Sequence, residues 1–400
     1  MIGAYVYDLF AYVPFRQESI KTTKSSAEVL SLKCYNNKIR IGILTFHRAL
    51  NYGALLQTYA LQETLKKLGC EPNIIDYRSK VMESRHHEAR ISDCHSLQDL
   101  VRFIFYAKHR NRKHKKFRDY SAANLVFSDV CVNCEQLNKL SSEYDKFICG
   151  SDQVWNYKLT EFDRNYLLDF TQDTSKKNSY AASFGISNIP TTYRDDYKTL
   201  LNGFSHISVR ENQGKEIIKG LINREAELVL DPTLLMTKQE WGGIATDYQN
   251  KKEYILLYTL GSSPTIKTFV EELSRKTGYS IVYISYSIIK KIDAIYEKCV
   301  GPTEFLGLFK NARYVVTNSF HGTCFSLSFN KDFFLELLPE SQGVNSRLEH
   351  ILDTFDLRSR QIINGKTGNI FSEIDYITVN NKLESERQRS LDFLKRILEE

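Results

Sequence analysis

Apolar runs that end in small or polar residues recur along the chain and predict alternating strands and helices. The first run, residues 38–46, predicts a buried strand, and apolar residues at helical spacing follow from Leu55 to Leu68. Asn51 and Gly53 lie in the turn between them, and residues 72–77 predict the next strand. A strand, a helix and a strand within about forty residues form a βαβ unit, which requires a parallel sheet.

The same pattern resumes after a less regular stretch at residues 235–250. It predicts a strand at 254–260, a helix at 265–277, a strand at 280–285 and a helix at 302–311. Two such halves predict an α/β fold in which two Rossmann-like domains face each other across a cleft. We expect an N-terminal extension at 1–37, a first domain at 38–240, a second at 241–375, and a C-terminal helix at 376–400 that packs back on the first domain.

The turn after the apolar run at 314–317 carries the first candidate for catalysis, His321. Open α/β sheets bind ligands at the carboxyl ends of their strands, and this turn lies at such an end. Ser319, Gly322 and Thr323 surround His321 at the start of the next predicted helix, where free amides and a partial positive charge favour a phosphate. The alternative is a histidine that caps the helix or packs in the core.

Two further strand ends carry charged candidates. Asp152 follows the strand that ends near residue 149 and is suited to bind or deprotonate a hydroxyl, although a helix N-cap is an equally ordinary role for aspartate. Arg210 ends another strand and is suited to a carboxylate or phosphate, with a surface pair to Glu211 as the alternative. Arg347, in a polar loop, is a candidate anion clamp.

Composition limits the function classes. With 42% hydrophobic and 26% charged residues, the 400-residue chain is typical of a globular protein, and a net charge of +6 gives no indication of nucleic-acid binding. Eight scattered cysteines indicate a reducing compartment, and the single close pair, Cys131 and Cys134, lacks the histidines of a zinc site. No apolar run is long enough to span a membrane. We therefore expect a cytoplasmic protein without a metal.

The stretch 102–118 departs from this average, because it contains eight Lys or Arg residues with interleaved Phe103, Phe105, Tyr106 and Phe117. This pattern predicts an amphipathic basic helix that is able to lie on anionic lipid, at the inner face of the membrane, or to contact phosphates. The alternative is a helix that is packed by its aromatic side and solvated on its charged side.

Six segments together resemble the polysaccharide pyruvyl transferase family. They read IGILTF (41–46), NYGALLQTYAL (51–61), GSDQVWN (150–156), SVRE (208–211), LDPTLL (230–235) and TNSFHG (317–322). They follow the family's order and, with their surroundings, cover residues 38–355. The resemblance implies a glycosyltransferase-B-like pair of domains. It also implies transfer of a pyruvyl group from phosphoenolpyruvate to two hydroxyls of a sugar, giving a cyclic ketal.

The resemblance also implies roles for the candidates. The catalytic residues would be His321 as general acid, Asp152, which orients or deprotonates the acceptor, and Arg210, which pairs with an anionic group of the donor. The donor would be bound by Ser319, Gly322, Thr323, Asn345 and Arg347, with the amides of Gly322 and Thr323 on the phosphate. The acceptor would be bound by Asn51, Tyr52, Gly53, Ser151 and Gln153. Phosphoenolpyruvate is a co-substrate, and no cofactor or metal is implied.

The expected acceptor belongs to a surface polysaccharide, such as an exopolysaccharide, capsule or cell-wall polymer, or to its lipid-linked precursor. Two alternatives stay open. One is a glycosyltransferase of the same architecture that uses a nucleotide sugar, for which Glu336 or Glu340 would bind the ribose. The other is a non-catalytic sugar-binding member of the same pathway.

Overall fold

The computed structural model describes residues 38–249, 252–285, 287, 290–338 and 345–399. The predicted extension at 1–37 lies outside the described residues, as does Glu340. Ile39–Glu400 group as one compact unit, and the domain boundary near residue 240 stays a prediction.

The first half of the chain is built on a parallel sheet in the order β2-β1-β3-β4. Isolated parallel bridges, Asn178 to His206 and Ala182 to Val209, connect it to the short parallel pair β5 and β6. The apolar residues of β1 and β3 are completely buried, since helices cover both faces of a parallel sheet. The strands are β1 Arg40–Leu44, β2 Glu71–Ile74, β3 Lys146–Cys149, β4 Lys177–Ser179, β5 Ser208–Val209 and β6 Glu227–Leu228.

Several helices of this half begin at a side chain that caps them. The Asn51 side chain accepts hydrogen bonds from the amides of Gly53 and Ala54 and so starts the first helix. The third helix contains the whole predicted basic stretch 102–118. The helices are α1 Tyr52–Lys67, α2 Lys80–His86, α3 Leu97–Asn124, α4 Cys134–Leu140, α5 Tyr157–Thr160, α6 Thr191–Asn202, α7 Asn212–Ile222, α8 Pro232–Leu235 and α9 Lys238–Ile244.

The second half contains another parallel sheet, in the order β11-β10-β7-β8-β9. Its strands are β7 Tyr254–Tyr258, β8 Ser280–Ile284, β9 Ile295–Glu297, β10 Tyr314–Thr317 and β11 Asp332–Leu335, and its helices are α10 Pro264–Thr277, α11 Pro302–Asn311, α12 Phe320–Ser328 and α13 Ser346–Thr354. Every residue of α12 is buried, because this helix also packs against α1 and α8 of the first half.

The last helix, α14 (Tyr376–Glu399), contacts the first half. The amide of Leu230 donates to Ser390 Oγ at 2.9 Å, Arg387 donates to the Leu234 carbonyl at 3.0 Å, and Arg396 pairs with Glu227. The end of the chain is therefore held against the segment from β6 to α8.

The predicted α/β fold of two Rossmann-like halves is confirmed. Several strands are shorter than predicted. The strand predicted at 38–46 spans only Arg40–Leu44, and the strand predicted at 254–260 ends at Tyr258.

Candidate active site

A pocket of about 340 Å³ lies between the start of α1 and the start of α12. Both halves of the chain line it, so the helix contacts described above determine its shape. It brings together six of the predicted residues: Asn51, Asp152, Gln153, Ser319, His321 and Arg347.

The imidazole of His321 packs directly against the backbone of α1 at Gly53. A Cβ atom built on Gly53 would lie only 1.9 Å from Nδ1 and 2.1 Å from Cγ of His321, so only glycine leaves room for the ring. On its other side the ring has Nε2 at 3.7 Å from Oδ2 of Asp231. His321 follows Ser319, whose Oγ caps α12 by accepting from the Gly322 amide. The ring position therefore depends on both halves.

Asp231 is a completely buried acid at the centre of the site, and the sequence analysis assigned it no role. Its carboxylate accepts hydrogen bonds from Arg210 at 2.7 Å, from Ser151 at 2.8 Å, and from the amide and hydroxyl of Thr233. Burial alone would raise the pKa of Asp231, but the positive charges of His321 and Arg210 hold this pKa well below its usual range. In the sequence, the one indication of a role for Asp231 was its position in the LDPTLL segment.

Arg210 lies behind the pocket and does not line it. Its Nη1 contacts Asp231 at 2.7 Å, its Nη2 contacts Asp152 at 2.9 Å, and its guanidinium stacks on the Phe320 ring at 4.6 Å. Both terminal nitrogens thus already hold carboxylates. The geometry favours a positioning role over the predicted contact with the donor.

Asp152 lines the pocket and carries a charge that Arg210 stabilises. Burial would raise the pKa of this carboxyl, but the charges of Arg210, His321 and Arg347 outweigh burial and lower the pKa. An ionised carboxylate of low basicity is better suited to orient a hydroxyl than to remove its proton. Of the two predicted roles, the structure favours orientation.

Arg347 is a positively charged residue of the pocket that is available to bind an anion. Within the described residues no carboxylate lies within ion-pair distance of it, and its Nε is buried without a hydrogen bond. When the side-chain amide of Gln153 is oriented with its oxygen toward Arg347, this oxygen accepts hydrogen bonds from Arg347 Nη1 at 3.2 Å and Nη2 at 3.3 Å. Burial and the charge of Arg210 lower the pKa of Arg347 to about 10, so it stays protonated and can bind an anion.

The two amides predicted to hold the phosphate are already used inside α12. The N–H of Gly322 donates to Ser319 Oγ at 3.3 Å, and the N–H of Thr323 donates to the Ser319 carbonyl at 3.0 Å. This geometry corrects the prediction. The amides of Phe320 and His321 lie in the first turn of α12 and precede its first intrahelical hydrogen bond, so they have no partner within the helix.

Three other predicted residues support the pocket from outside it. Ser151 is completely buried and donates to Asp231. Tyr52 is a core residue at the start of α1, and its hydroxyl donates to a main-chain carbonyl. Asn345 bonds both main-chain groups of Leu338, a pocket residue.

Within the described residues, no group of three or more His, Cys, Asp or Glu side chains could hold a metal ion. No helix of the described chain is both long and apolar enough to cross a membrane. Glu336, a candidate of the nucleotide-sugar alternative, directly follows β11 and donates its amide to the Thr317 carbonyl.

Two Rossmann-like halves around a charged pocket are the architecture of an α/β transferase, and comparison with known proteins supports this class. The family model described as Polysaccharide pyruvyl transferase matches residues 51–335. The match covers most of the chain, and the chain belongs to this family. A search of curated proteins found no match.

Solved structures resemble the chain only distantly. A putative UDP-N-acetylglucosamine 2-epimerase from Listeria monocytogenes is 12% identical, with 88% of this chain and 97% of that chain covered and a TM-score of 0.42. An α-glucosyltransferase in complex with UDP and DNA is 11% identical, with 90% and 95% covered and a TM-score of 0.45. The glycosyltransferase SnogD from Streptomyces nogalater is 10% identical, with 88% and 95% covered and a TM-score of 0.40.

Proposed function

We propose that the protein transfers the pyruvyl group of phosphoenolpyruvate to two hydroxyls of one sugar, forming a cyclic ketal and releasing phosphate. The observation that carries this proposal is the presence in one pocket of His321 and of Arg347, which has no carboxylate partner among the described residues. The donor has two anionic groups and a carbon that must be protonated. A half-buried cation in the same pocket as a histidine matches both requirements.

The reaction takes two protons from the sugar hydroxyls and adds one proton to a carbon of the donor, with His321 as the proton carrier. His321 donates one to the methylene carbon of phosphoenolpyruvate, which becomes the methyl group of the ketal. The first sugar hydroxyl attacks the resulting oxocarbenium-like carbon, and the second displaces phosphate. Of the two protons released by the hydroxyls, one returns His321 to its acid form and the other leaves with phosphate.

The remaining charges suit these steps. Arg347 and the helix-opening amides of Phe320 and His321 would hold the carboxylate and phosphate of the donor. The Asp152 carboxylate, ionised and within the pocket, would face the positive charge that develops on the reacting carbon and orient a hydroxyl. Asp231 and Arg210 would keep His321 and Asp152 in place from behind.

Incubation of the protein with phosphoenolpyruvate and a panel of sugars tests the reaction. The panel contains free and lipid-linked β-galactosides, β-glucosides and N-acetylhexosamines. We expect one member to gain a pyruvate ketal by mass spectrometry, with one phosphate released per product. Consumption of a nucleotide sugar, without use of phosphoenolpyruvate, would instead support the glycosyltransferase alternative. Sugar binding without any product would support the non-catalytic alternative.

We further propose that α3 contacts an anionic membrane surface. Its positions 97, 101, 104, 108, 112 and 115 recur at spacings of three or four and therefore share one face. Leu97, Val101, Ile104 and the neighbouring Phe105 are 82%, 52%, 64% and 53% exposed. Lys108, Arg112 and Lys115 continue the same face and are exposed. An apolar stripe followed by a basic one suits insertion among anionic headgroups.

Co-sedimentation with phosphatidylcholine vesicles, with and without phosphatidylglycerol, tests this contact. We expect binding only to the anionic vesicles, and a loss of about ten-fold or more in the Ile104→Ser/Phe105→Ser protein, because two apolar side chains that would insert among the headgroups are removed. The matched control is Phe371→Ser/Ile377→Ser, which changes two exposed apolar residues of the second half. Equal binding of both double variants would contradict the proposal.

A further inference from the structure

A second, larger pocket of about 660 Å³ adjoins the first. Asn51 and Leu260 line both pockets, so the two spaces meet at the start of α1. The larger pocket is bounded by α3 on one side and by the ends of β7 and β8 on the other. A molecule in it would reach the donor pocket past Asn51.

The lining of the larger pocket is positively charged. Among the described residues that line it are four lysines, Lys113, Lys267, Lys291 and Lys298, and one acid, Glu297, a difference of three positive charges. Lys267 lies 3.8 Å from Glu271. Within the described residues, no carboxylate lies within ion-pair distance of the other three lysines.

Lys113 is the innermost of these cations. Its ammonium lies 4.1 Å from the centre of the Tyr52 ring and 5.2 Å from that of Phe117, and it donates one long hydrogen bond, 3.5 Å, to the Leu50 carbonyl. Burial lowers the pKa of Lys113 to about 8. A half-buried ammonium without a counter-ion costs folding free energy, and an anionic ligand would offset this cost.

The other lining groups suit a sugar. Five tyrosines, at 52, 106, 258, 283 and 296, contribute to the pocket wall, and tyrosine offers both an apolar face and a hydroxyl. Ser262 and Ser263 lie beside Lys267 at the start of α10, where the helix dipole favours negative charge. Tyrosines, serines and an excess of lysines together match a sugar that carries an anionic group.

We propose that the larger pocket binds the acceptor and that this acceptor is a glycosyl phosphate or diphosphate, whose anionic group is held by Lys113 and the lysines of the rim. The inference rests on the proposed function, which supplies the need for an acceptor. A nucleoside diphosphate sugar and a lipid-linked sugar diphosphate share this chemistry.

Calorimetric titration of inorganic pyrophosphate into the full-length protein, saturated with phosphoenolpyruvate, tests the anion site. We expect Lys113→Met to weaken pyrophosphate binding by about ten-fold or more, as expected for loss of a charge-assisted contact. Lys298→Met, at the rim, should weaken it less, and it keeps the test valid if the Lys113 variant folds poorly. The control Lys139→Met removes a lysine that is 73% exposed on α4 and should change nothing.

Titration with UDP and with farnesyl diphosphate distinguishes the two sources. If UDP binds more tightly than pyrophosphate and Lys113→Met weakens this binding, the acceptor is a nucleotide sugar. If farnesyl diphosphate does so, the acceptor is linked to a lipid. Pyrophosphate binding that is absent, or unaffected by both Lys113→Met and Lys298→Met, overturns the inference.

Titration with phosphoenolpyruvate separates this inference from the proposed function. We expect Arg347→Met to lose phosphoenolpyruvate binding, and Lys113→Met to retain it. If the wild-type protein does not bind phosphoenolpyruvate but still shows Lys113-dependent pyrophosphate binding, the proposed function fails while the anion site stands.

Discussion

Replacement of His321 by glutamine is expected to slow ketal formation by about a hundred- to ten-thousand-fold, the usual contribution of a positioned general acid. Glutamine retains a polar N–H group in the space between Gly53 and Asp231, but it cannot transfer a proton to carbon. Because Arg347 and the start of α12 are unchanged, the dissociation constant for phosphoenolpyruvate should change by only a few-fold. Single-turnover mass spectrometry gives the rate, and calorimetry gives the dissociation constant.

The matched control is His87→Gln, which changes a half-buried histidine that does not line the pocket and should leave the rate unchanged. A His321→Gln protein with the wild-type rate would exclude proton transfer by His321. Parallel loss of rate and phosphoenolpyruvate binding would instead assign His321 to donor binding.

The second large effect is expected from a single added methyl group. In Gly53→Ala, the new Cβ would overlap the imidazole of His321, with 1.9 Å to Nδ1, so the ring must leave its position between α1 and Asp231. A displacement of about 1 Å at a catalytic group costs on the order of a hundred-fold in rate. Since alanine is favoured over glycine in a helix by about 1 kcal/mol, a lower melting temperature would come from the clash and not from the helix.

Gly220→Ala is the control, because a Cβ there would meet nothing within 4 Å on α7. It should keep full activity and unchanged or slightly raised stability. In a His321→Ala background the space beside Gly53 is open, so adding Gly53→Ala should no longer lower the melting temperature. An equal loss in both backgrounds, or an active Gly53→Ala protein, would show that the contact with His321 is not what requires glycine.

The hydrophobic pattern predicted the long elements well and the short ones poorly. The helices α1, α10 and α11 begin and end within a few residues of their expected positions, because apolar residues at helical spacing mark each of them. The helices α2 and α6 were not predicted. Only Met82 is buried in α2, and α6 buries three residues, so the periodic signal in these polar segments is weak.

The site was predictable to the extent that strand ends meet at one edge of a sheet. That rule indicated His321 and Asp152 without knowledge of any contact, and both line one pocket. It did not show which of Arg210 and Arg347 binds the anionic donor, since either side chain can pair with an anion. It also overlooked Asp231, whose role depends on Ser151, Arg210 and His321, residues at least 21 positions away.

By itself, the sequence determined the α/β class, the membership in the polysaccharide pyruvyl transferase family and the local position of each candidate relative to a strand or helix end. The reason is that periodicity, capping and motif order are local properties of the chain. Only the tertiary structure decided that Arg210 is neutralised while Arg347 stays open, and that Gly53 supports His321. These contacts join distant segments, and no local pattern specifies which partner a buried charge or a small residue will meet.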